Sequence, residues 1–150
     1  PVQMIEDINS KDFVDSIGRG AFGFCTGFNQ IFDQRCIDRF VQLINFHPSI
    51  LPYYRGPTPS AWCLQNGERR SGFTAHTMTQ AIDRGEYLVQ DTVDILPGDT
   101  VADLDGRISL LGATYLHDLI GSILREQPYD RKVLDAADIY HTKVGYKSFI

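Results

Sequence analysis

Apolar positions in the first third of the chain form short groups that predict two helices alternating with two strands. Helical spacing of apolar residues over 11–17 predicts a first helix, which Gly18 ends. The continuous apolar run 21–26 predicts a strand that is covered on both faces. A second helix over 33–40 leads to a second buried strand over 41–44. The apolar stripes of these helices are Phe13, Val14 and Ile17 in the first and Ile37, Phe40 and Val41 in the second.

The rest of the pattern predicts a short helix, two more strands and one long helix. Thr58 and Pro59 form a good helix start, because a threonine hydroxyl can cap the helix and proline suits its first position. Alternating apolar and polar residues predict strands over 71–78 and 87–95. Thr100 can then cap a long helix whose apolar residues recur at steps of three and four. These residues are Val101, Leu104, Ile108, Leu111, Tyr115, Leu119 and Ile123.

Helices that alternate with short buried strands indicate an α/β protein with a mainly parallel sheet flanked by helices. The chain of 150 residues is long enough for one domain, which we assign to residues 1–126. Residues 127–150 are polar without a clear period, and we expect an irregular C-terminal tail there. Ligands of such sheets bind beyond the carboxyl ends of the strands, so the segment after residue 44 is a candidate site.

Composition and charge exclude several classes of protein. Apolar residues make up 43% and charged residues 22% of the chain, which argues against disordered and fibrous proteins. The net charge of −5 argues against a dedicated nucleic-acid binder, which usually carries a basic patch. No apolar run reaches the roughly 18 residues of a membrane-spanning helix, so we expect no membrane partner. Cys25, Cys36 and Cys63 lack metal-ligand spacing, which favours reduced thiols, no bound metal and a cytoplasmic location.

An asparagine and a histidine follow the second predicted strand, in a segment that two prolines restrict. Asn45 and His47 are separated by one residue, and Pro48 and Pro52 limit the backbone after them. The asparagine amide donates an N–H, and a protonated histidine donates a second and can carry a proton. Two such donors aimed at one point would stabilise an oxyanion. A structural histidine at a strand end is the other interpretation, and the pattern by itself leaves both open.

Asp83 lies in a tight turn between the two later strands. If this turn folds back over the end of the second strand, the carboxylate would keep His47 charged, because a nearby opposite charge raises the pKa of a histidine. A solvated turn aspartate is the alternative. Two other histidines, His76 and His117, are interpreted as structural or solvated. Arg55 either binds a carboxylate or phosphate of a ligand or pairs with a surface acid.

These residues belong to a longer pattern. Residues 45–57, with the sequence NFHPSILPYYRGP, resemble the N-x-H-P-S-L-L-P-x-(Y/F)-R-G signature of 10-formyltetrahydrofolate-dependent formyltransferases. Residues 71–74 (SGFT) and 78–85 (MTQAIDRG) are similar to the T-G-x-T and M-x-x-x-I-D-x-G segments of that family. The resemblance extends over residues 9–124, and both motifs stand in the family's order.

The resemblance implies a Rossmann-like formyltransferase fold and a triad that falls on Asn45, His47 and Asp83. In the family's chemistry a substrate amine attacks the formyl carbon of 10-formyltetrahydrofolate, and no metal takes part. Asn45 and a protonated His47 would hold the oxyanion, and Asp83 would support His47. The residues implied to bind the folate are Phe28, Asn29, Gln30 and Ile31 in one segment and Thr79, Gln80, Ala81 and Ile82 in another. Those implied to bind the formyl acceptor are Ser49, Arg55 and Gly56.

The chain departs from the family pattern at both ends. Family members normally begin with a further segment that holds the first strands of the sheet, and we expect those strands to be missing. The sheet would then have an unpaired edge, which a partner chain such as a second copy in a homodimer could fill. We also expect the C-terminal barrel domain of the initiator-tRNA enzymes to be absent.

The first hypothesis is therefore transfer of a formyl group from 10-formyltetrahydrofolate to a primary amine on a nucleotide-linked amino sugar or a similar small metabolite. A methionyl-tRNA formyltransferase fragment is an alternative, which the acidic charge disfavours. A formyltetrahydrofolate hydrolase is a second alternative, although that branch usually has another histidine where this sequence has Pro48. A catalytically inactive folate-binding module is the alternative from a different class.

Overall fold

The computed structural model describes residues 4–128, and a four-stranded sheet with helices on both faces forms the frame of the fold. The predicted order of helices and strands is confirmed for all eight elements. The strands, in both chain order and sheet order, are β1 (Phe22–Thr26), β2 (Gln42–His47), β3 (Arg70–Thr77) and β4 (Tyr87–Asp94). The helices are α1 (Lys11–Ser16), α2 (Gln34–Ile37), α3 (Pro59–Gln65) and α4 (Val101–Leu124).

The sheet is mixed instead of mainly parallel, although the α/β class is confirmed. β1 and β2 run parallel, whereas β3 runs antiparallel to β2 and β4 antiparallel to β3. The connections explain the difference. α2 lies in the crossover between the parallel strands, whereas β3 and β4 are joined by a short loop over 78–86 that needs no crossover helix.

Two apolar cores lie on opposite faces of the sheet. Consecutive strand residues point to opposite faces, so Ile44 packs into one core and Leu43 into the other. The first core joins Phe73 and Ala75 of β3 and Leu88 and Val89 of β4 to α3 and α4. The second joins Val14 and Cys36, with other residues of the first 40 positions, to the opposite side. Asn45 and His47 of β2 point to the same side as Leu43, so a polar site on these residues lies on the face of the second core.

The prediction that β1 is covered on both faces is wrong. Phe22 and Phe24 are 43% and 37% exposed, because α4 packs across β3 and β4 while β1 lies at the edge of the described sheet. Its other face packs closely. A Cβ on Gly23 would lie 2.4 Å from the side chain of Leu43, so glycine permits this approach.

Other boundaries differ from the prediction in ways that have local causes. α2 stops at Ile37, because residues 39 and 40 make tighter hydrogen bonds to carbonyls three positions back. Val41 is exposed, and β2 begins one residue later and extends through His47. Thr58 has a left-handed backbone (φ 59°) and its side chain makes no capping hydrogen bond. The predicted cap of α4 is confirmed, since Thr100 accepts a hydrogen bond from the backbone N–H of Asp103.

The remaining predictions concern the tail, the thiols and the membrane. The tail assigned to 127–150 lies outside the described residues except for 127 and 128. Cys25, Cys36 and Cys63 are free, and burial raises the pKa of the Cys25 thiol to about 11, so it stays protonated near neutral pH. Within residues 4–128 the helices are too short or too polar to cross a membrane.

Candidate active site

A patch of polar side chains lies on one face of the sheet across β2 and β3. Asn45 and His47 are two residues apart in β2, so both point to the same face. In the antiparallel register His76 lies opposite Asn45, and Thr74 lies opposite His47. His47 and His76 are only 5% and 2% exposed, so their rings are buried, whereas Asn45 is half-buried. Buried polar groups must be hydrogen-bonded, and their partners define the geometry of the site.

The loop between β3 and β4 brings Asp83 onto this patch. Its Oδ1 lies 3.8 Å from Nδ1 of His47 and 3.6 Å from Nε2 of His76. The backbone N–H of Gly56 donates to Oδ2 at 2.9 Å, and Nε of Arg55 donates to the backbone carbonyl of Asp83 at 3.2 Å. The structure therefore brings Asp83 and His47 together as the proposed triad requires.

The backbone conformation of this loop explains why the motif has an aspartate at position 83 and a glycine at position 85. Asp83 has a left-handed conformation (φ 53°), which turns its carboxylate back toward the sheet. A Cβ on Gly85 would lie 1.5 Å from the carbonyl oxygen of Thr77, so only glycine allows the loop to pack this closely. The N–H of Thr77 donates to the carbonyl of Glu86, and the N–H of Glu86 donates to the Thr77 hydroxyl, each at 2.9 Å. These contacts fix where the loop begins and ends.

A second loop, residues 48–57, contacts the other nitrogen of the His47 ring. Nε2 of His47 lies 2.9 Å from the backbone carbonyl oxygen of Tyr54, so this nitrogen donates. Tyr54 is left-handed (φ 56°), like Asp83. Such conformations cost about 1–3 kcal/mol each in non-glycine residues and cluster at functional sites. Both groups that face the His47 ring nitrogens therefore stand on strained backbone.

Buried strand residues brace this second loop. The Thr74 hydroxyl donates to the carbonyl of Ser49 at 2.8 Å and accepts from the N–H of Leu51 at 3.0 Å. The Gln90 amide donates to Thr74 and to the carbonyl of Leu51 at 3.0 and 2.8 Å. Ser49 is fully buried and its hydroxyl donates to the carbonyl of Tyr53 at 2.7 Å. Ser49 thus holds the loop, and direct contact with an acceptor would require the loop to open.

The charges in the site differ from the prediction for His47. Burial lowers the pKa of His47, and this outweighs Asp83, which raises it, so the ring is neutral near neutral pH. For Asp83 burial acts to raise the pKa, but His76 and His47, when they present a proton to the carboxylate, and the Gly56 N–H hold that pKa below its ordinary value. The resting site therefore pairs an ionised Asp83 with a neutral His47. Because Nε2 donates to Tyr54, the unprotonated nitrogen of that ring is Nδ1, which faces the carboxylate.

His76 is the member of the patch that sequence reasoning placed outside the site. Its ring is buried and its Nε2 lies 3.2 Å from Nδ2 of Asn45 and 3.6 Å from Oδ1 of Asp83, whereas the sequence suggested a structural or solvated histidine. His117 is exposed on α4, as expected of a solvated residue. The signal that could have found His76 is the strand register, because an antiparallel pairing that places residue 74 opposite His47 must place residue 76 opposite Asn45.

Comparison with known proteins decides the family. The sequence model of a family described as "Formyl transferase" matches residues 20–120, which is 101 of the 150 residues. The chain belongs to the formyl transferase family. The matched range contains all four strands and the whole of the polar patch.

The similar curated proteins are longer than this formyl transferase chain. Methionyl-tRNA formyltransferase of Geobacter sulfurreducens is 35% identical over 138 residues, which cover 87% of the chain and 44% of the relative. The enzyme of the same name from Solibacter usitatus is 36% identical over 106 residues, which cover 70% of the chain and 34% of the relative. The chain therefore spans less than half the length of either relative.

Solved structures support the same family and its Rossmann-like fold. The sugar N-formyltransferase from Shewanella sp FDAARGOS_354 has a TM-score of 0.74 and 25% identity, covering 90% of this chain and 54% of that chain. A 4-N formyltransferase from Francisella tularensis, at 23% identity and a TM-score of 0.72, covers 93% of this chain and 60% of that chain and supports the fold. Glycinamide ribonucleotide transformylase 1 from Symbiobacterium toebii is 34% identical with a TM-score of 0.52, covering 55% of this chain and 39% of that chain.

The segments predicted to bind folate in the formyl transferase family lie on the surface. Residues 28–31 follow the carboxyl end of β1, which pairs with the carboxyl end of β2. Phe28 and Ile31 are exposed there, whereas the Gln30 amide holds the segment 6–8 through hydrogen bonds of 2.9 and 3.0 Å. Residues 79–82 are exposed in the loop that carries Asp83. Of the predicted acceptor-binding residues, Arg55 and Gly56 hold Asp83 in place.

Proposed function

We propose that the protein transfers a formyl group from 10-formyltetrahydrofolate to a primary amine. The observation that carries this proposal is the approach of Asp83 to His47, on the face of β2 that also holds Asn45, within the range matched by the family. An amide donor, an imidazole and a carboxylate in one patch suit acyl transfer, which needs an oxyanion donor and a proton carrier.

The reaction makes one bond and breaks one. The amine nitrogen attacks the formyl carbon and gives a tetrahedral intermediate with a negative oxygen. Collapse of this intermediate breaks the bond from the formyl carbon to N10 of the folate. The amine loses one proton and N10 gains one, so the products are a formamide and tetrahydrofolate, with no change of oxidation state.

The side chains divide this chemistry between them. An N–H of the Asn45 amide would stabilise the oxyanion. Nδ1 of His47 would take the proton of the amine and pass it to N10. The imidazolium that forms would be held by the Asp83 carboxylate at 3.8 Å on one side and the Tyr54 carbonyl at 2.9 Å on the other. A neutral resting His47 suits this role, because a base must begin without the proton.

The surroundings of the triad fit a folate co-substrate. A flat pterin suits a pocket with apolar side chains and a few backbone donors and acceptors. The exposed side chains of Phe28, Ile31 and Ile82 belong to the two segments that we propose to contact it. We propose that the folate also contacts Asn29, Gln80 and the backbone of Thr79 and Ala81.

For the formyl acceptor we propose a nucleotide-linked amino sugar. The structure of a sugar N-formyltransferase resembles this chain over 90% of its length, and the net charge of −5 disfavours a nucleic-acid acceptor. A methionyl-tRNA acceptor is the second candidate, which the 35% identity to a methionyl-tRNA formyltransferase supports.

The test is a release assay with three acceptors. The full chain is incubated with 10-formyltetrahydrofolate alone and with a nucleotide-linked amino sugar, glycinamide ribonucleotide or methionyl-tRNA, and tetrahydrofolate and the formylated amine are both measured. Amine-dependent formation of both products is expected, with the amino sugar as the best acceptor. Release without an amine would indicate a hydrolase, and folate binding without release would indicate a binding module; either result overturns the proposal.

A further inference from the structure

Resting on the proposed function, we infer that His76 is a positioning residue that fixes the orientation of the Asn45 amide. Its ring holds the NH₂ end of that amide, so one N–H is engaged and the other is available to the oxyanion. His76 itself touches neither co-substrate nor acceptor in this scheme. The geometry around the two nitrogens of its ring carries the inference.

The protonation of the His76 ring follows from its partners. Nδ1 lies 2.9 Å from the backbone carbonyl oxygen of Thr77, which can only accept, so Nδ1 carries a proton. A neutral ring with its proton on Nδ1 leaves Nε2 as an acceptor, and Nε2 lies 3.2 Å from Nδ2 of Asn45, which can only donate. The two contacts together describe one neutral tautomer. The ring is 2% exposed, so it is shielded from bulk solvent.

This tautomer selects one of two orientations for Asn45. The oxygen and nitrogen ends of an asparagine amide have nearly the same shape, so packing alone does not distinguish them. An acceptor at Nε2 of His76 attracts the NH₂ end and repels the oxygen end. If the amide turned over, its oxygen would replace its nitrogen in the patch, and a negative intermediate would lose a donor.

The Thr77 carbonyl is itself fixed by the fold. Thr77 is the last residue of β3, and its N–H and hydroxyl are both bonded to Glu86 at the other end of the loop. Gly85 packs against the same carbonyl, and this contact is possible because glycine has no Cβ. A chain of contacts therefore runs from the loop that carries Asp83, through Thr77 and His76, to the amide of Asn45.

His76 could instead act through Asp83, since Nε2 lies 3.6 Å from Oδ1 of that carboxylate. That contact lowers the pKa of Asp83 only when Nε2 carries a proton, whereas the shorter contact of 3.2 Å with the Asn45 amide nitrogen requires an unprotonated Nε2. His76 therefore acts on Asn45. A double-mutant cycle separates the two routes, because a residue that acts only through Asn45 has no effect once the Asn45 amide is gone.

The first experiment compares kcat and KM for His76→Leu and His76→Gln in the full chain. Leucine removes the acceptor, and we expect kcat to fall about 10- to 100-fold with both KM values within about threefold, as for a misplaced catalytic group. Glutamine offers an amide oxygen near the position of Nε2 and should restore most of kcat. His117→Leu, at an exposed histidine of α4, is the matched control and should leave kcat unchanged.

The cycle with Asn45→Ala decides the route. In that background we expect His76→Leu to change kcat by less than about twofold, since coupled residues are not additive. An additive loss, or a loss in His76→Leu that His76→Gln does not restore, would overturn the inference. Retention of full kcat by His76→Leu would do so as well.

A measurement without turnover keeps this test separate from that of the proposed function. Nitrogen-15 NMR of the resting protein should show a protonated Nδ1 and an unprotonated Nε2 for His76. The side-chain amide signals of Asn45, assigned by their loss in Asn45→Asp, should shift in His76→Leu. If the wild-type protein formylates no amine, the proposed function fails, while these spectra still decide whether His76 holds Asn45. An Nε2–H tautomer, or unmoved Asn45 signals, would overturn the inference.

Discussion

β3 and β1 belong to the same sheet but contrast in what they bury. Residues 71–76 of β3 are buried in succession, and they include the polar side chains of Ser71, Thr74 and His76. β1 alternates between exposed and half-buried positions, and the residues it exposes include Phe22 and Phe24. Polar groups are thus inside where the site is built, and aromatic groups are outside at the edge.

Hydrogen bonding resolves this reversal for β3. Burying a polar group costs free energy unless it finds a partner, and unpartnered buried groups are rare. Among residues 4–128, every fully buried side-chain nitrogen and oxygen atom has a hydrogen-bond partner. The polar residues of β3 are therefore stable inside, and each holds a loop or a neighbouring side chain. The contrast shows that burial in this protein depends on hydrogen bonding at the site as well as on hydrophobicity.

The largest expected effect tests this contrast with two phenylalanines. Phe73 is 2% exposed and packs on the rings of Phe46 and Tyr115, whereas Phe22 is 43% exposed. We expect Phe73→Ala to lower the free energy of unfolding by about 3–5 kcal/mol. Phe22→Ala should cost less than about 1 kcal/mol, as for a surface substitution. Urea denaturation followed by circular dichroism measures both; equal losses would show that β1 is covered in solution.

The next effect concerns catalysis at the polar patch. Asn45→Ala and His47→Ala should each lower kcat about 10²- to 10³-fold, because each removes a group that acts on the reacting atoms. The formylation assay measures this, with His117→Ala as a control at an exposed histidine. Near-normal turnover by either variant would remove that residue from the proposed mechanism.

The sequence predicts the elements well because their signals are local. The three- and four-residue steps of α4 and the Thr100 cap are readable along the chain, and the motifs locate Asn45, His47 and Asp83. The sequence does not predict the bracing role of Thr74 or the position of His76 beside Asn45, because both depend on the register between two strands. The exposure of β1 escapes for a similar reason, since the path of α4 across the sheet decides which strands it covers.

The protonation state of His47 shows the same limit. The sequence predicts an aspartate nearby, which raises the pKa of a histidine, but not how deeply the ring is buried. In the structure burial is the larger effect, so the direction of the shift is reversed. A motif thus identifies neighbours, whereas their balance of charge and desolvation depends on the tertiary structure.

A smaller effect distinguishes the bracing threonine of β3 from a threonine of β1. The Thr74 hydroxyl bonds to Ser49, Leu51 and Gln90, so Thr74→Val leaves buried partners unpaired. We expect a loss of about 1–3 kcal/mol in the free energy of unfolding, together with a lower kcat because the loop that holds His47 shifts. Thr26→Val, at an exposed end of β1, should change stability by less than about 0.5 kcal/mol. Equal effects in the denaturation curves would remove the bracing role.

The smallest expected effect is a dependence of stability on pH that originates in the patch. Because the pKa of His47 is lowered in the folded state, the unfolded chain binds more protons below the ordinary value of 6.5. The free energy of unfolding should therefore fall as the pH drops below 6.5 and should be insensitive to this residue above it. Asp83, whose pKa is also lowered, stabilises the fold above its ordinary value of 3.8 and loses that contribution only in stronger acid.

The free energy of unfolding is measured between pH 5 and 8 for the wild type, for His47→Gln in β2 and for Phe22→Ala in β1. The slope of this free energy against pH should become smaller in His47→Gln and should stay unchanged in Phe22→Ala. An unchanged slope in His47→Gln would mean that folding leaves the pKa of His47 at its ordinary value, and the lowered pKa that supports the proposed resting state would be wrong.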